Sequence, residues 1–150
     1  MYRRARERIA SAGGGDFAGP KPESLLASAE AALGFRFPPS YRQFLLELGS
    51  GDVAGFEIYG LVDDHFEEAR VPDAIALTLE ARRAGLDPRY LLIGTLGDGS
   101  HDCHDTGHLD GSGEAPVVQL SSDFEEPVRL ADSFGAYFLA EVGDALSNEG

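Results

Sequence analysis

Between Glu23 and Leu48 the apolar residues return every three to four positions, whereas between Tyr90 and Leu120 they come in short blocks separated by glycine and charged residues. The first pattern is helical. Leu25, Leu26, Ala29 and Leu33 form one stripe, with Pro22 suited to a first turn and Gly34 to a left-handed stop, so the spacing predicts a helix over Glu23 to Leu33. Pro38-Pro39 opens a second helix whose Tyr41, Phe44, Leu45 and Leu48 repeat at i, i+3, i+4 and i+7. Gly49-Ser50-Gly51 ends it, because glycine loses most backbone entropy on ordering, and Phe56-Glu57-Ile58-Tyr59 then alternates as a strand does.

Farther on, Asp63-Asp64-His65-Phe66-Glu67-Glu68 is acidic and aperiodic and reads as a loop. Val71-Pro72-Asp73 supplies a turn and an N-cap for a third helix carrying Ile75, Ala76 and Leu79, which ends near Arg82 to Gly85 with basic residues at the favourable end of the dipole. Tyr90 to Leu96 is an apolar run of strand length, as in a strand covered on both faces. With His101 to Asp105 and Pro116 to Leu120 it predicts an antiparallel meander, and Pro127 to Leu130 adds an edge. Asp132 or Ser133 caps a last helix with Phe134, Phe138, Leu139, Val142 and Leu146 inward, and fraying is expected from Ser147. At the other end Met1 to Ala12 predicts a short helix with Tyr2 and Ile9 on one side, docked on an acidic body and separated by Gly13-Gly14-Gly15. Helices first, a meander in the middle and a helix last give an α+β class: a mostly antiparallel sheet of about four to six strands, with helices mainly on one side. Residues 1–16 form a basic arm or short helix and residues 17–150 a single domain.

Charge changes this picture more than composition does. Residues 1–42 hold seven Lys/Arg against four Asp/Glu, and residues 43–150 hold five against twenty-two, within a total of −14 over 150 residues. Such a field repels nucleic acid and anionic membrane surface and steers basic partners inward. No apolar run is long enough to span a bilayer and the basic start has no apolar stretch behind it, so a soluble cytoplasmic protein is expected. The lone Cys103 excludes an internal disulfide and a cysteine-rich zinc module.

Candidate chemistry gathers between Asp98 and His108, where three histidines, a thiol and three carboxylates fall in eleven residues. A strand over His101 to Asp105 sends His101, Cys103 and Asp105 to one face and Asp102 and His104 to the other, so a metal set would be His101, Cys103, Asp105 and His108. The better account is a strand carrying mixed surface polar residues. Cys103 lacks a base in reach and reads as a small core residue; glycines at calcium-loop or phosphate-loop spacing are missing, and no carboxylate pair stands out. No cofactor is expected. What remains is a surface: Asp63, Asp64, Glu67 and Glu68, with Asp98, Asp102 and Asp105, form a negative patch, and Tyr59 and Phe66 are the aromatic anchors beside it.

The succession Glu30, Leu33-Gly34, Phe37-Pro38, Tyr41, Phe44-Leu45, Gly51 and Ile58-Tyr59-Gly60 resembles the signature of the SUKH superfamily, in its cell-wall-assembly-regulator-like (Smi/Knr-type) branch, across Phe17 to Leu146. The resemblance implies the same α+β fold, no catalytic motif, and fold-determining roles for Leu33, Gly34, Pro38, Tyr41, Phe44, Leu45, Gly51 and Gly60. Glu30, which shares the signature, is read as a carboxylate tying down the loop before the second helix. By resemblance the function is that of bacterial members predicted to be immunity proteins, which bind and neutralise nuclease- or deaminase-type toxins. The partner would be a protein with a basic groove, not nucleic acid or membrane, and the oligomeric state is left open. Two alternatives stand beside it: a metal-binding or hydrolytic enzyme centred on the His101 to His108 hairpin, and a regulatory scaffold like the fungal relatives.

Overall fold

The computed structural model describes residues 1–149. The chain order is α1 (Tyr2–Ser11), β1 (Asp16–Phe17), α2 (Glu23–Leu33), α3 (Pro39–Glu47), β2 (Gly51–Val53), β3 (Phe56–Ile58), α4 (Ala74–Arg83), β4 (Tyr90–Thr95), β5 (His101–Asp105), β6 (Val117–Leu120), β7 (Val128–Ala131) and α5 (Phe134–Glu149). The fold is α+β and its strands pair antiparallel, divided between a three-stranded sheet β1-β2-β3 and a four-stranded sheet β4-β5-β6-β7. Helix α5 continues through residue 149, where fraying was expected from Ser147; Gly150 lies outside the described residues.

Local chemistry explains most boundaries. Gly34 ends α2 in the left-handed conformation at φ 87°. Asp73 caps α4 by accepting from the N–H groups of Ile75 and Ala76, each at 3.0 Å, and Ser133 Oγ accepts from Ala136 N at the start of α5. Glu30 Oε2 accepts from Phe37 N at 2.7 Å, fastening the α2–α3 loop as the sequence predicts. The short strand β2 hides inside the glycine-rich break. Its Gly51 lies so close to β1 that a Cβ there would sit 2.2 Å from the Asp16 carbonyl oxygen.

One core joins all layers. Tyr41, Phe44, Phe134 and Phe138 are its largest fully buried rings, with Phe134 5.1 Å from Tyr41 and 5.2 Å from Phe44 between ring centres. Helix α1 belongs to the same core through Tyr2, Ala5 and Ile9. Tyr2 stacks on Phe138 at 5.8 Å and donates its hydroxyl to Glu47, which also pairs with Arg6. The outer edge of β4 is closed from two directions: Leu92 N donates to Thr78 Oγ1 of α4, and Tyr59 N donates to the Ile93 carbonyl. The second contact sets β3 beside the four-stranded sheet and creates a cleft where the two meet.

Candidate functional site

The cleft encloses about 470 Å³ between the end of the β2–β3 turn, β4, β5 and α5. Phe56 and Tyr137 form one wall as an edge-on pair 5.8 Å apart. In its depth Asp102, 5% exposed, accepts from Tyr137 Oη at 2.7 Å and from Gln119 Nε2 at 3.0 Å. Half-buried Glu141 and exposed Glu57 complete the acidic lining, and Leu130 of β7 lies at the rim. Burial first, then the Asp102 charge, pushes the Tyr137 hydroxyl far above its ordinary range, so it stays a proton donor to the carboxylate. Glu141 is likewise raised, by burial first and then by the neighbouring Asp102 and Asp144 charges. Among the described residues no Lys or Arg pairs with Asp102, Glu141 or Glu57.

Alternation along β5 is as the sequence predicts, but the burial is not. Asp102, Cys103, His104 and Asp105 are all buried, correcting the expectation of surface polar residues. Strands β4 and β6 flank it on its two edges, and Tyr41 of α3 with Phe134 and Tyr137 of α5 pack on the face that carries Asp102 and His104. His104 points into the aromatic core, 5.3 Å from the Tyr41 ring, and among the described residues neither ring nitrogen finds a partner in full hydrogen-bond geometry, the Ala115 backbone being the polar group beside it. Burial drives its pKa down to about 4, against a weaker opposing pull from the Ala115 backbone, so the ring is neutral near pH 7. Cys103 is wholly buried, and desolvation pushes its thiol well above the usual range.

The proposed ligand set His101, Cys103, Asp105 and His108 does not converge. Residues two apart on a strand are separated by roughly 7 Å. His101 stacks on Phe124 at 5.0 Å, and Asp105, 6% exposed, is held by His108 Nδ1 at 2.7 Å and Arg89 Nε at 3.3 Å. Among the described residues the group with metal-like spacing is Asp63, Asp64 and His65, where the Arg70 guanidinium already sits 2.5 Å from Asp63.

The acidic loop is on the surface, with its charges unequally free. Arg70 joins Asp63 to Glu68, whereas Asp64 and Glu67 are exposed and, among the described residues, pair with His65. The Asp63 and Asp64 charges come first among the causes that raise the His65 pKa. Asp98 is exposed and accepts from Ser100 N and Oγ. Tyr59 is 6% exposed and Phe66 half-buried against the core, so Tyr59 and Asp105 are interior residues, while Asp102 is reached from outside through the cleft it lines. Sequence reasoning missed Tyr137, Gln119, Glu141 and Glu57. The one available signal was Tyr137 itself, whose place on the inward side of α5 obliges its hydroxyl to find a buried partner.

The signature residues hold the frame behind this surface. Tyr41 donates its hydroxyl to the Tyr59 carbonyl at 2.7 Å, and Gly60 passes so near Gly49 that a Cβ would meet its carbonyl oxygen at 1.7 Å. Leu33, Phe44 and Leu45 are buried core residues, and Pro38 precedes the first turn of α3. No helix among the described residues is long and apolar enough to cross a membrane.

Comparison with known proteins agrees with this frame. No curated protein matches the chain. The crystal structure of a protein from Pseudomonas syringae pv. tomato is similar in fold, with a TM-score of 0.62 at 15% identity over 90% of this chain and 93% of that one. The family model described as SMI1 / KNR4 family (SUKH-1) matches residues 20–140. By that match the chain belongs to the SMI1/KNR4 family (SUKH-1).

Proposed function

We propose that the protein is a non-enzymatic binding module that acts in the cytoplasm as an immunity protein, capturing a nuclease- or deaminase-type toxin domain and covering its cationic substrate groove. The observation that carries this reading is the division of labour among its polar groups. Two of the groups with catalytic potential, Cys103 and His104, are sealed in the core, the thiol protonated and the imidazole neutral near pH 7. The carboxylates of Asp64, Glu67 and Asp98 stand at the surface, where complementary charge accelerates encounter and selects partners. Family membership supports a protein partner. Residues 17–150 act as one binding domain in this reading, with α1 a docked addition.

The proposal expects a toxin gene beside this one, and the test uses the C-terminal domain of that toxin. Purified protein is expected to abolish that domain's activity at one equivalent and to leave it unmodified by mass. Loss of the toxin activity only at catalytic amounts, with covalent change, contradicts the proposal.

A further inference from the structure

We propose that the cleft between β3 and the four-stranded sheet receives one lysine or arginine side chain of the partner protein, with Asp102 and Glu141 as its anionic pole and Phe56 and Tyr137 as its aromatic wall. This deepens the binding reading above and rests on it for the source of the side chain.

Asp102 carries the inference. A carboxylate at 5% exposure is ordinarily neutralised by a cation, yet among the described residues this one receives two neutral donors, Tyr137 and Gln119, and no cation. Two donors occupy about half of a carboxylate's acceptor sites, of which there are roughly four. The remaining capacity lies in the wall of an open cleft. Glu141 adds a second carboxylate whose proton affinity is already raised by burial and by Asp102, so an entering cation relieves repulsion within the chain. Aromatic faces beside carboxylates suit guanidinium and ammonium groups, which bind acids by charge-assisted hydrogen bonds and rings by their negative faces. Space is available at Gly94, where an added Cβ would find its nearest neighbours, the Glu57 carbonyl oxygen, Asp102 Cβ and Tyr137 Oη, at 3.8 to 3.9 Å. A Cβ placed there makes only ordinary van der Waals contact at the lining of the cleft. An all-neutral ligand leaves the two acids unpaired, and an anion would be repelled.

The full-length protein is titrated with Nα-acetyl-arginine methylamide, Nα-acetyl-lysine methylamide and the uncharged Nα-acetyl-citrulline methylamide, with amide resonances followed by NMR. The cationic probes are expected to shift Gly94, Asp102, Tyr137 and Glu141 saturably, at least about tenfold more tightly than citrulline. Glu141→Gln is expected to weaken them several-fold, and Gly94→Leu, which keeps the carboxylates, to abolish the response. Equal binding of citrulline, shifts spread over all acidic surfaces, or an unaltered response in Gly94→Leu overturns the proposal. The probes contain no toxin: a responsive cleft stands even where toxin capture fails, and a silent cleft leaves toxin capture to its own test.

Discussion

Tyr137 of α5 donates its hydroxyl to Asp102 of β5 at 2.7 Å, and among the described residues no Lys or Arg pairs with that carboxylate. The bond joins the last helix to the second strand of the main sheet, and removing the donor leaves a buried charge with Gln119 alone. Tyr137→Phe is expected to lower unfolding free energy by about 2 kcal/mol, the scale for a hydrogen bond to a buried charged group. Urea denaturation measures this, and an unchanged midpoint contradicts the role given to the pair.

The signature glycines are expected to differ sharply in their tolerance of alanine. At Gly60 a Cβ would collide with the Gly49 backbone, and since neither side can yield like a flexible side chain, Gly60→Ala is expected to abolish soluble folded protein. Gly34 has a positive φ but open space around its Cβ position, so Gly34→Ala is expected to cost only about 1 kcal/mol. Circular dichroism and thermal melting of the two variants test the contrast.

How much of this was legible follows from where the information lies. Helices α2, α4 and α5 were readable because caps and apolar stripes are local signals: Gly34, Asp73 and Ser133 each sit where the expected stop or start falls. Strands β1 and β2 were not, because neither carries an apolar–polar alternation like that of Phe56-Glu57-Ile58 in β3, and their pairing depends on the close approach at Gly51. The polarity of His-Asp-Cys-His-Asp suggested a surface strand, whereas tertiary cover buries four of its five residues. The cleft was invisible for a related reason: Phe56, Asp102, Gln119 and Glu141 come from four different elements or turns, and no spacing in the chain links them. Exposed Asp64 and Glu67 were legible as charge, but the pairing of Asp63 and Glu68 through Arg70 required the folded loop.

His104 predicts a specific acid sensitivity. Its folded pKa, about 4, lies below the ordinary 6.5, so the unfolded chain binds more protons and stability falls as pH drops from about 6.5 toward 4, levelling off below. The full effect is on the order of 3 kcal/mol. His104→Leu removes both unpartnered nitrogens and is expected to flatten that part of the stability profile relative to wild type. A parallel profile in the variant would remove His104 from the explanation of acid unfolding.

Glu114 joins three elements through Ser40. Its carboxylate accepts from Ser40 N and Oγ, and Ser40 Oγ in turn accepts from Gly135 N at 3.0 Å, linking the β5–β6 loop to the starts of α3 and α5. Glu114→Ala is expected to cost about 2 kcal/mol and to raise hydrogen exchange at both helix starts. Exchange raised only in the loop itself would show that the network does not couple them.

The central claim, capture of a cationic toxin domain by exposed carboxylates, is tested most directly by calorimetric titration of that domain at low and high salt, using wild type and the double charge reversal Asp64→Lys/Glu67→Lys. These two residues are exposed and lie outside the Arg70 pairs, so the variant is expected to retain its fold. The account predicts binding that weakens with salt in the wild type and is at least about tenfold weaker in the variant, a loss that shrinks at high salt. Equal affinity for both proteins at both salt concentrations would contradict it.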